Sequence, residues 1–160
     1  MKIFKSGMKV LGIIALICVL ALSFSPSKAF AQTPPRILQI TGDVIIVDDE
    51  IFGEERSDYT IDESIELRED ESGILINFKE CCGDEVRAEL LLEASLEDGI
   101  FNVSGPAKLF EGTNCNTLQG PEHEKGISEL VTDQRDVQLA INLLKMGDGT
   151  ANFYLTLVSK

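Results

Sequence analysis

Over residues 86–97 the chain reads VRAELLLEASLE, and its apolar side chains recur at every second position. Val86, Ala88, Leu90, Leu92, Ala94 and Leu96 alternate with Arg87, Glu89, Glu93, Ser95 and Glu97. Glu, Ala and Leu favour helices, but on a helix this set would scatter around most of the circumference. On a strand it lines one face, so period two predicts a half-buried strand. Asp98-Gly99 follows, a two-residue hairpin signal because both turn positions need positive φ. Pairing Glu97 with Ile100 then sets Leu96 opposite Phe101, Ala94 opposite Val103, Leu90 opposite Ala107 and Ala88 opposite Leu109. Apolar residues meet apolar residues along the ladder, an agreement the turn alone does not impose.

The same test predicts further pairings. With Cys81-Cys82-Gly83 as a three-residue loop and Gly83 left-handed, Phe78 pairs with Val86, Ile76 with Ala88 and Ile74 with Leu90. With Gly147-Asp148-Gly149 as a loop, Leu143 pairs with Phe153, Ile141 with Leu155 and Leu139 with Leu157. A hairpin between 63–68 and 74–80 across Asp70-Glu71-Ser72-Gly73 turns Ile65 and Leu67 inward. An N-terminal strand, 37–47, is interrupted by Gly42. The acidic segment 48–62 reads as a loop, and 112–136 as a long connection with a short strand at Ile127–Val131. About seven antiparallel strands of this kind predict an all-β fold, a two-sheet β-sandwich, with a closed antiparallel β-barrel as the alternative.

Residues 1–31 have the form of a secretory signal peptide. Lys2, Lys5 and Lys9 precede the apolar run 10–22, and Ala29-Phe30-Ala31 supplies a small-x-small cleavage pattern. The run is short for a membrane anchor, so cleavage after Ala31 is expected to leave one domain, 32–160, with no stable membrane insertion. That domain, secreted or periplasmic, holds ten basic and twenty-seven acidic residues, a net −17 (10 minus 27). Such a field disfavours nucleic acid and favours a cationic or basic partner.

Three cysteines remain after the signal. Antiparallel geometry returns the strand 100–111 to the hairpin tip at 81–83, which brings Cys115 beside the cysteine pair. In an oxidising compartment a disulfide is expected, Cys82 to Cys115, with Cys81 as the alternative partner. Gly105-Pro106 predicts a bulge that shifts the register by one, because Pro106 lacks the N–H its ladder position needs. The spare thiol has Glu80, Asp84 and Glu85 for neighbours, which suppress a thiolate.

No catalytic constellation is present in the sequence. The single histidine, His123, reads as a solvated loop residue without the paired spacing of a zinc site. The best specific site is a calcium centre on Asp48, Asp49, Glu50, Asp58 and Asp62. It is not an EF-hand, since with Asp48 first the twelfth position is Tyr59. Asn102-Val103-Ser104 matches a glycosylation sequon but falls within a strand. The chain is therefore expected to be a non-catalytic binding or structural module of the cell envelope or extracellular space, without a cofactor other than calcium. The alternatives are a calcium-binding module and a small secreted hydrolase with a carboxylate pair.

Overall fold

Alternating inward and outward side chains build the strands of the domain, with breaks where Leu75 and Ile76, and Leu109 and Phe110, are buried in succession. In a computed structural model of the chain, the described residues are 33–50, 53–83, 85–115, 120–145 and 149–160. The signal-like segment 1–31 lies outside them, as do the tips at 51–52 and 146–148. The strands are β1 (Arg36–Glu50), β2 (Gly53–Leu67), β3 (Ser72–Cys82), β4 (Val86–Glu97), β5 (Ile100–Glu111), β6 (His123–Val131), β7 (Val137–Lys145) and β8 (Gly149–Ser159). They form two four-stranded antiparallel sheets, in the orders β2-β1-β8-β7 and β3-β4-β5-β6.

The chain meanders around this sandwich, passing between sheets only from β2 to β3 and from β6 to β7. The order is that of an up-and-down ring split along two seams, so the closed barrel is not formed. One end of the sandwich carries the β1–β2, β3–β4, β5–β6 and β7–β8 connections. The opposite end carries the other turns and both ends of the domain. There the Ile37 and Lys160 main chains bond each other, and Arg36 reaches the Gly99 carbonyl and Asp133.

Between the sheets lie Leu38, Ile40, Val44 and Ile46 from β1, the whole alternating set of β4, and Phe153, Leu155 and Leu157 from β8. Phe101 and Phe153 are the bulkiest of the wholly buried side chains. At about 1.5–3 kcal/mol for each large apolar side chain, this core is the principal favourable term in folding.

The central hairpin has the expected register, with Glu97 opposite Ile100 and Ala88 opposite Leu109. The shift expected at Gly105-Pro106 does not occur: Leu90 pairs with Ala107 and Glu93 with Ser104, in one register on both sides of the gap. Gly105 absorbs the irregularity at φ 154°.

Two other registers are displaced. Phe78 pairs with Leu90 and Cys82 with Val86, so the connection is 83–85 rather than 81–83, with Gly83 left-handed at φ 56°. Leu143 pairs with Ala151 and Ile141 with Phe153, placing the C-terminal connection at 146–148. The first displacement moves partners by four positions and the second by two, and an even step keeps side chains on their expected faces. The exception is Ile74, expected inside opposite Leu90. A register irregularity between Ile74 and Ile76 turns it outward opposite Glu93, while Leu75 is buried in its place.

The hairpin expected between 63–68 and 74–80 is not formed. Those segments are the ends of β2 and β3, which pair with β1 and β4 in different sheets. Leu67 is buried and Ile65 packs against the core, as expected. The segment 48–62, expected as a loop, belongs to a continuous hairpin from Arg36↔Leu67 to Glu50↔Gly53. Its β2 arm is an edge strand, whose polar composition reflects exposure rather than lack of structure.

Candidate functional site

The residues proposed for calcium are carried on one hairpin and do not share one point. Asp48 faces between the sheets and is only 3% exposed, whereas Asp49 is exposed on the outer face. Glu50 ends β1, and its side chain lies outside the described residues. Asp58 is outward on β2, where Arg56 Nη2 lies 2.7 Å from its Oδ1. That hydrogen bond, reinforced by charge attraction, holds the Asp58 carboxyl below its ordinary range and raises Arg56. Asp62, about 13 Å further along the strand at its usual rise, accepts from Gln39 Nε2 at 2.9 Å. Among the described residues no three His, Cys, Asp or Glu side chains gather as a metal site would require.

Two carboxylates do meet at Gly83. Asp48 and Glu55 are cross-strand partners on the inner face, and a Cβ at Gly83 would lie 2.6 Å from Asp48 Oδ2 and 3.0 Å from Glu55 Oε2. The missing side chain of Gly83 is what accommodates both.

The disulfide joins Cys81 to Cys115, not Cys82, with Cα atoms 6.3 Å apart. The reason is facing. Cys82 pairs with Val86 on the inner face, where it is buried and its thiol donates to the Glu55 carbonyl at 3.3 Å. Cys81 pairs with Arg87 on the outer face. Arg87 in turn donates to the Cys115 carbonyl at 2.8 Å and stacks over Phe110. Cys115, four residues beyond the end of β5, lies beside Arg87 on that outer face and therefore meets the outward cysteine.

His123 is not a loop residue. It opens β6, and its Nδ1 accepts from the Leu144 N–H at 3.0 Å, tying β6 to β7 across one seam. Lys145 reinforces that seam through Glu111 at 2.6 Å and Glu122 at 3.9 Å.

The β2–β3 seam is built differently. Toward the disulfide end the Tyr59 hydroxyl donates to the Cys81 carbonyl at 2.6 Å, beside the Cys82–Glu55 contact. Toward the other end Ile65 packs so closely on Gly73 that a Cβ there would lie 2.7 Å from Ile65 Cδ1. Between these ties a cavity of about 250 Å³ opens, walled by Thr60–Glu63 and Ile76–Glu80. Its floor is Ile61, Ile76 and Phe78, and Phe78 is held edge-on by Tyr59 and Phe153 at 5.6 and 5.9 Å between ring centroids. Glu63 and Glu80 line it from the same strand faces as that floor. Asp62 and Lys79 line it from the opposite faces, where Asp62 accepts from Gln39 and Lys79, the one cation of the rim, lies 3.5 Å from Glu89. Sequence reading missed this groove because it exists only once β2 and β3 are placed in different sheets. The alternation of Tyr59, Ile61, Glu63, Ile65 and Leu67 within the acidic stretch was the available signal.

Comparisons with protein-family models, with curated proteins and with solved structures find no match to this chain. The described residues contain no helix long and apolar enough to cross a membrane, and the disulfide is compatible with an extracellular location.

Proposed function

We propose that the chain is an exported, non-catalytic binding module of the cell envelope or extracellular space, and that the β2–β3 groove is its site. The observation that carries this reading is the open middle of the seam: an apolar floor beneath a carboxylate rim, between ties at both ends. Such a surface suits a cationic group carried on an apolar stem. The signal-like residues 1–31 and the Cys81–Cys115 bridge support export. Glycoside hydrolysis needs two carboxyls flanking an accessible bond, and the pair that meets at Gly83 includes Asp48, which is almost wholly buried.

Titration of the isotopically labelled protein with arginine amide, followed by NMR, tests the proposal. Resonances of residues 60–63 and 76–80 are expected to shift, with acetate producing no such pattern. Shifts spread evenly over the acidic surface, or none within the groove, would overturn it.

A further inference from the structure

Both walls of the groove are sheet edges. β2 pairs only with β1 and β3 only with β4, and among the described residues no backbone hydrogen bond joins β2 to β3. Edge strands present unpaired N–H and C=O groups, which makes them templates for an added strand. At the other seam the His123 ring takes up the Leu144 N–H, so part of that edge is already bonded. At this one the ties stop at Tyr59 and Ile65, leaving the stretch between them open.

Charge decides what such an edge admits. β2 carries six carboxylates against a single cation, Arg56, which is engaged by Asp58. A second copy approaching edge to edge would bring the same sign and be repelled, whereas a basic strand is attracted. The cavity, at about 250 Å³, is below the roughly 300–1,000 Å³ of small-molecule sites and closer to the size of one long side chain.

We infer that the β2–β3 seam takes an extended basic segment of a partner protein, added as a strand along the edge, with one Lys or Arg side chain laid through the groove. Its methylenes cover Ile61, Ile76 and Phe78, and its charged end meets Glu63 and Glu80. This rests on the groove being the binding site and goes further, by naming a peptide backbone as the ligand.

The test uses three probes on the labelled protein: a short peptide of alternating Thr and Lys, the same peptide N-methylated at alternate residues on its edge-facing side, and spermidine. The Thr-Lys peptide is expected to shift residues 60–63 and 76–80 and to slow hydrogen exchange of edge amides in β2 or β3. N-methylation is expected to remove that protection. Glu63→Gln and Glu80→Gln, both isosteric and at exposed positions, should each weaken binding about tenfold. Equal binding of the N-methylated peptide and spermidine in the groove would overturn strand addition while leaving the groove a cation site. Failure of all three probes to perturb the groove would overturn both readings.

Discussion

At Gly105 an added Cβ would overlap the Leu91 carbonyl oxygen and press on Leu92, and φ is 154°. This is where the β4–β5 ladder skips two pairings, Leu91 with Pro106 and Leu92 with Gly105, and then resumes its register. Pro106 beside it lacks an N–H, so the backbone needs a conformation that only glycine takes without strain. Gly126, opposite Pro106 on β6, has open space where its Cβ would stand. Gly105→Ala is therefore expected to cost at least about 3 kcal/mol, and Gly126→Ala within about 0.5 kcal/mol of none, in denaturant unfolding. Equal effects would show that the backbone at 105 is not constrained in this way. Sequence reading saw the irregularity in Gly105-Pro106 but assigned it to a one-residue bulge. A proline reports a missing donor, whereas the way the chain absorbs the loss depends on how closely β4 approaches.

The strands show what side-chain alternation determines and what it leaves open. Matching apolar faces tests only parity, because a register displaced by two positions buries the same residues. Asp98-Gly99 pinned the central hairpin, since a two-residue turn has a single closing pair. The connections at 83–85 and 146–148 had several residues from which to choose, and both pairing registers differ from the expected ones by an even step, four positions in the first and two in the second. Parity nevertheless puts Cys82 with Val86 inside and Cys81 outside. Because a connection running over the surface reaches the outward residue, Cys81 was the better partner for Cys115.

Unreduced mass spectrometry should accordingly find Cys81 bridged to Cys115. Cys82 should resist alkylation until the protein is unfolded, because it is buried against β2. The bridge spans 34 residues, and in the chain-entropy model Cys115→Ser should lose roughly 3–4 kcal/mol. A Cys82–Cys115 bridge, or rapid native alkylation of Cys82, would place β3 in the wrong register.

For the molecule as a whole, charge sets the expected response to ions. Residues 33–160 carry ten basic and twenty-seven acidic side chains, in a domain whose radius of gyration for this length is about 14 Å. At 0.01 M salt the screening length of about 30 Å exceeds that radius, so carboxylates on opposite faces repel each other. At 0.15 M it falls to about 8 Å. The unfolded chain spreads the same charges further apart, so sodium chloride should raise the melting midpoint over this range, by a few degrees for about 1 kcal/mol. Calcium at matched ionic strength separates screening from a specific site. A site bound only in the native state adds about 2.7 kcal/mol at a hundredfold excess over its dissociation constant. Asp48 faces inward, Asp49 and Asp58 outward, and Asp58 is held by Arg56, so these carboxylates lack a common focus. Millimolar calcium is expected to match sodium chloride at equal ionic strength. A further rise, reversed by chelator, would show that the hairpin tip gathers ligands around the ion and would restore the calcium-module reading over the groove.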